Sequence, residues 1–141
     1  MASFVFNTLI ADMAAGNIQT ASHSFKMMLV SSSYTPSRAH AKRSDITNEI
    51  TGTGYTAGGA ACTVTVATDQ GGNRTSMEIS DTSWSNATLT ARRGVVYRTR
   101  GGASSADELV CCLDFLGDIT STAGTFLADF NASVPFFFNT P

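Results

Sequence analysis

The side chains able to do chemistry are few here, and their spacing decides what they could do. Two histidines stand far apart: His23 between Ser22 and Ser24, and His40 beside Arg38 and Lys42. No G-x-S-x-G elbow occurs, and the many serines have poor partners in these two histidines, although a triad is defined by geometry and not by spacing. Cys62, Cys111 and Cys112 are odd in number and lack the paired C-x-x-C spacing of a zinc site. The expectation is three reduced thiols, with a disulfide from Cys62 to one of the adjacent pair left open. Since neighbours on a strand point to opposite faces, one of Cys111 and Cys112 is expected inside. Asp107, Glu108, Asp114, Asp118 and Asp129 do not alternate as calcium-loop ligands do, and read as solvated strand ends and turn formers. The chemistry points to no enzyme, no metal and no cofactor.

The run Gly52-Thr-Gly-Tyr-Thr-Ala-Gly-Gly59 invites a nucleotide reading and fails it. The third glycine of a dinucleotide fingerprint is replaced by Ala57, a phosphate loop would need a lysine, and the residues that follow read as strand. The run is instead a turn with positive φ at Gly54, Gly58 or Gly59, with Tyr55 packed as a plug between the glycines. Two basic sets follow different logic. Arg38, His40, Lys42 and Arg43 cluster in one segment; Arg92, Arg93, Arg98 and Arg100 lie along another. Both suit a solvated surface, and guanidinium forks also suit an acidic protein partner. Direct nucleic-acid binding is not expected, because the formal net charge is −2.

These groups sit in a chain of 141 residues with 14% charged side chains, well below the usual ~25%, and 35 small hydroxyls (19 Thr, 16 Ser). That is one domain's length, so a single unit over residues 1–141 is expected. No apolar run approaches the ~20 residues of a membrane span, and no basic segment precedes an apolar one at the start. No membrane partner is therefore expected. Phe6, Leu9, Ile10 and Met13 fall at helical spacing, so Phe4 to Ala15 reads as one helix, with Asn7 as N-cap and Gly16 as stop. Strands follow at Ser24 to Val30, Asp45 to Ile50 (a short edge strand), Cys62 to Ala67, Met77 to Ile79, Thr88 to Tyr97, Leu109 to Phe115, Thr125 to Asn131 and Val134 to Phe138. Trp84 falls in a polar turn. Ser31 to Arg43 holds Pro36 and no periodicity, so it is a long loop without an apolar tie to the core, a candidate contact arm. The class is all-β: an antiparallel sandwich or compact barrel of about seven strands, with one short N-terminal helix. At the end, Phe136, Phe137 and Phe138 cannot all face one domain's core, which predicts burial between chains in a homo-oligomer.

The order of landmarks resembles a family of small tailed-bacteriophage virion structural proteins. The residues that carry it are Phe25-Lys-Met-Met-Leu-Val30, Ser33-Tyr-Thr-Pro36, Arg43-Ser-Asp-Ile-Thr-Asn-Glu-Ile50, and above all Gly52-Thr-Gly-Tyr-Thr-Ala-Gly-Gly59. Trp84, Thr88-Leu-Thr-Ala-Arg92, Val95-Val-Tyr97, Leu113-Asp-Phe115, Thr125-Phe126 and Phe130-Asn131 continue the series over nearly the whole chain. The Cys111-Cys112 pair and the Phe-rich end depart from the pattern. The resemblance implies a virion component made in the host cytoplasm. The leading expectation is a capsid decoration or cement protein on the major capsid protein lattice. The interface residues would be Arg38, Lys42, Arg43, Phe136, Phe137 and Phe138. A tail or head–tail junction component is the alternative; a host-surface glycan module, stacking sugars on Trp84, Tyr34 and Tyr55, is a third.

Overall fold

The computed structural model describes residues 2–129 and the backbone of residues 136–139. The element order is β1 (Phe4–Val5), α1 (Leu9–Ala14), β2 (Phe25–Val30), β3 (Ala60–Cys62), β4 (Val64–Asp69), β5 (Arg74–Ile79), β6 (Thr82–Arg98), β7 (Leu109–Ala128) and β8 (Phe136–Asn139), with 3₁₀ turns at Arg43–Asp45 and Ser104–Ala106. The fold is all-β and antiparallel. A five-stranded sheet runs β1-β7-β6-β2-β3, and a three-stranded sheet runs β4-β5-β8.

The middle of the larger sheet is apolar on both faces. Phe25, Met27, Leu29, Val96 and Cys111 look into one cluster, whereas Met28, Val30, Val95, Tyr97 and Cys112 look into another. The first cluster is closed by Leu9 of α1 and by Val64, Met77 and Ile79 from the base of the smaller sheet. The second is closed by Phe4, Phe6, Tyr34 and Ile46. Both thiols of the 111–112 pair are therefore buried, against the expectation of one, because a strand covered on both sides has no outside. All three cysteines are free, and burial pushes the Cys62 and Cys112 thiols up to about 12 and Cys111 well above its ordinary value.

The N-terminal segment corrects the sequence reading. Phe4 and Val5 pair with Cys112 and Cys111 as an edge strand, and the helix is only Leu9–Ala14. The N-cap is Thr8 rather than Asn7, and it makes no side-chain cap bond. The apparent helical stripe mixes two destinations: Phe6 faces the second cluster, Leu9 the first, and Ile10 is 54% exposed. Gly16 does end the helix, at φ +81°.

Strands β6 and β7 form a long ribbon. Near Arg93–Arg98 it is the sheet's doubly covered centre, paired with β2. Beyond that it is covered on one face only, with Trp84, Ala87, Leu89 and Ala91 buried and Ser83, Ser85, Thr88 and Thr90 outside. Trp84 is thus not in a turn but inside β6, between the rings of Tyr55 and Phe126. The segments expected as separate strands at Leu109 to Phe115 and Thr125 to Asn131 are one strand, β7. Asn86, Leu116 and Ala123 take positive φ at 49°, 66° and 47°, each within a register shift, so bulges carry the ribbon's bends. The segment expected as an edge strand at Asp45 to Ile50 makes only a single bridge, Val30 to Glu49.

The glycine run lies where β2 has ended beside β6. Thr53 bridges Thr88, and a Cβ at Gly52 would stand 2.5 Å from the Thr88 carbonyl. Gly59 combines φ +81° with contact so close that a Cβ would overlap the Met27 carbonyl. Gly101 has a similar φ of +77° but open space around it. Gly101→Ala should therefore cost about 1 kcal/mol from the left-handed backbone alone. Gly59→Ala should cost far more, because the backbone of β2 must also move. Thermal melts of the two variants measure the difference, and equal melting temperatures would contradict the close approach.

Candidate functional site

Several charged residues that the sequence suggested for the surface are drawn together in two knots around buried carboxylates. Asp107 and Glu108, at the entry to β7, are 1% and 2% exposed. Arg43 Nε donates to Asp107 Oδ2 at 2.8 Å, and the Arg100 N–H donates to Oδ1 at 2.9 Å. Arg100 donates through Nη2 and Nε to Glu108 at 2.6 and 3.2 Å, and Lys42 Nζ approaches the same carboxylate at 3.3 Å. The Arg43 guanidinium also lies over the Tyr97 ring, 5.1 Å from its centroid. The second knot joins Asp114 to Arg92 at 3.1 Å and Arg93 at 3.6 Å, and Arg93 is itself buried. So Asp107, Glu108 and Asp114 are not solvated strand ends. The carboxylates are nearly sealed from water and each has a cation beside it, while the cations themselves, except Arg93, still reach solvent.

Burial alone would raise the Glu108 carboxyl. The hydrogen bond from Arg100, a backbone N–H and Lys42 together outweigh it and hold the group below the ordinary carboxylate value. Asp114 behaves alike: burial raises it, but the Leu116 N–H, Arg92 and Arg93 bring it lower still.

The first knot fastens the loop from Ser31 to Arg43. The sequence suggested a free arm; the structure shows a cover over the second apolar cluster. Tyr34 is buried there, its hydroxyl 2.9 Å from His40 Nδ1. The Arg38 carbonyl accepts the Asn7 N–H at 2.9 Å. Lys42 and Arg43 bind Glu108 and Asp107 within the chain, whereas Arg38 is exposed, with its guanidinium 5.2 Å from the Phe4 centroid.

The glycine run makes a second organised site. Tyr55 OH donates to Glu49 Oε1 at 2.7 Å and accepts the Leu29 N–H at 3.0 Å. The Gly58 N–H donates to the same Glu49 oxygen at 2.6 Å, and Tyr97 OH donates to the Gly58 carbonyl. Gly54 and Gly58 hold φ of +81° and +90°. Strand β3 pairs with β2 only from Phe25 to Met27, so the Tyr55 hydroxyl serves a β2 N–H that lies beyond the end of that ladder. Burial pushes the Tyr55 hydroxyl well up and the Tyr97 hydroxyl up to about 12, so both remain protonated donors. Neither Glu49 nor Tyr97 stood out in the sequence; the signal was the offset of Glu49 just before a glycine-flanked tyrosine.

The aromatic trio offered for sugar stacking is engaged internally: Tyr34 and Trp84 are buried, and Tyr55 is half-buried with its hydroxyl bonded. The backbone of Phe136, Phe137 and Phe138 pairs with Met77, Ser76 and Thr75 in β8, while their side chains lie outside the described residues. Among the described residues, no group of three or more His, Cys, Asp and Glu side chains comes together as a metal site would require. A groove of about 470 Å³ runs between the N-terminus and the bulged part of β7, lined by Phe115, Leu116, Ile119 and Leu127. A second, of about 480 Å³, lies between Thr20–Phe25 and Ala61–Thr65. No family model matches the chain, and no significant match was found among curated proteins or solved structures.

Two outcomes follow. Tyr55→Phe removes one hydroxyl that serves both Leu29 N–H and Glu49, so it should cost about 1–3 kcal/mol in chemical denaturation. Acid should loosen the knots: Glu108 and Asp114 bind protons less tightly in the folded chain than in the unfolded one. Their contribution is fully present above about pH 5 and falls away as pH drops through about 4 and below. Denaturation series across that range should show the loss, and Glu108→Gln should flatten it.

Proposed function

We propose that the chain is a bacteriophage virion structural protein, a capsid decoration or cement protein that binds the major capsid protein lattice and stabilises the head. The observation that carries the reading is where the charge goes. Asp107, Glu108 and Asp114 are neutralised by Lys42, Arg43, Arg92, Arg93 and Arg100 inside the chain. The outer face that remains is rich in hydroxyls, with Leu116, Ile119, Leu127 and Val66 exposed among them. Such a surface suits contact more than turnover. The resemblance of its landmarks to those of small tailed-phage virion proteins supports a virion component without fixing its address, and a tail or head–tail junction position is the alternative to the capsid. Self-association belongs to the same reading, with Phe136, Phe137 and Phe138 as the sequence-based anchor.

On this reading Arg38 is the cation of its loop that is free to meet a capsid carboxylate, since Lys42 and Arg43 are held by Glu108 and Asp107. Shells assembled without the protein should bind it in sedimentation assays, more weakly as salt is added. Arg38→Glu should weaken binding and leave the melting temperature near the wild type, whereas Arg43→Glu should lower stability. Copy number in purified virions separates the two addresses: a stoichiometry on the scale of the shell's subunits supports the capsid, and one on the scale of a collar or tail tube supports the alternative. Failure of the protein to bind shells at low salt would overturn the cement reading.

A further inference from the structure

We infer that β4 is a self-association edge, pairing antiparallel with β4 of a second copy about a two-fold axis at Val66, so that two three-stranded sheets become one of six strands.

The edges of the two sheets differ in how they are closed. In the larger sheet they are β1, two residues long, and β3, three residues long; in the smaller sheet β8 spans four. Among the described residues, the remaining terminal strand, β4, has six residues, of which the five from Thr65 to Asp69 are exposed. Exposed strand edges are ordinarily blunted by lysine, proline, a bulge or an inward charge. From Ala60 to Thr68 there is no charged residue and no proline. The register with β5 runs unbroken from Val64–Ile79 to Asp69–Arg74, in contrast to the bulged β6–β7 ribbon. Among the described residues, β4 carries no charge before Asp69, keeps a regular register, and is exposed from Thr65 onward, Val64 being buried.

The occupant follows from the strand's own sequence. Residues that face each other across an antiparallel pair share a sheet face, so a two-fold axis must pass through a residue position. With the axis at Val66, each Val66 meets the second copy's Val66, Thr65 meets Ala67, and Val64 meets Thr68. No charge opposes a charge, since Asp69 lies beyond this window and already pairs with Arg74 at 3.4 Å. Val66, 40% exposed in the single chain, gains a β-branched partner at the centre of the contact. The exposed positions Thr65, Val66 and Ala67 find their complements within the same three residues, so a second copy meets the edge with no charge opposed and no foreign sequence. The inference is independent of where the protein sits in a virion, because it concerns the isolated chain.

The test is the mass of the full chain by size exclusion with light scattering over a dilution series. The wild type should shift from dimer to monomer on dilution. Val66→Lys places two ammonium groups on the axis and should give a monomer throughout, with an unchanged β-sheet spectrum; Ser85→Lys, on the outer face of β6, should leave the shift intact. Should Val66→Lys fail to fold, cysteine substitution answers the same question. Val66→Cys should form a disulfide-linked dimer under mild oxidation, since facing residues bring their Cα atoms to about 4.5–5.5 Å. Thr68→Cys faces Val64 and should not. A wild type that is monomeric at every concentration, a Val66→Lys protein that keeps the dimer mass, or equal cross-linking at positions 66 and 68 would each overturn the inference. So would a dimer lost only when residues 134–141 are removed, which would move the contact to the terminal strand.

Discussion

The constraint on which the rest depends is that β2, β6 and β7 are apolar on both faces where they run side by side. A half-buried antiparallel strand alternates inside with outside; these strands alternate between two insides. Each inside requires its own cover, and the chain supplies them from unlike sources. One side receives α1 and the base of the smaller sheet. The other receives an irregular segment that contributes only Tyr34 and Ile46, together with the N-terminal Phe4 and Phe6. So thin an apolar contribution does not fix a loop of that length, and the Asp107–Glu108 knot provides the remaining hold.

The two organised sites are answers to the same constraint. Irregular segments laid against a sheet bring backbone groups with no ladder to join, and those groups must find partners. At the glycine run a tyrosine hydroxyl and a glutamate oxygen stand in for the missing strand, serving Leu29 and Gly58. At the entry to β7, the Asp107 side chain accepts the Arg100 N–H while its carbonyl accepts the Arg43 N–H. The buried carboxylates thus perform structural work, while Asp45, Asp69, Glu78, Asp81, Asp118 and Asp129 remain on the outer surface.

The all-β class, β2 and the turn at the glycine run were legible in the sequence, because alternation and glycine placement are local signals. The one strand expected at Cys62 to Ala67 instead divides at Thr63 between the two sheets, as β3 and β4. What was not legible was long-range. Phe4 and Val5 looked helical because the stripe formed by Phe6, Leu9, Ile10 and Met13 has the right period; only the pairing with Cys111 and Cys112 shows that Phe6 and Leu9 serve different clusters. Trp84 looked like a turn residue because serines flank it, yet those serines are the outward positions of a one-sided strand. The carboxylates and arginines looked solvated because nothing in a linear chain shows that Arg43 and Asp107 meet. The loop seemed untethered because a single buried tyrosine leaves no period to detect.

The order of strands in the larger sheet carries a consequence for how the molecule is made. Its first strand closes against Cys111 and Cys112, so the N-terminal residues leave the ribosome long before their partners exist. Closing so long a loop is entropically unfavourable until other contacts have shortened it. This order favours assembly of β2, β6 and β7 first, with Phe4 and Phe6 joining an already formed surface. During synthesis the second apolar cluster stays open until the last strand of that sheet has emerged, and the growing chain is at its most vulnerable to misassociation in that interval.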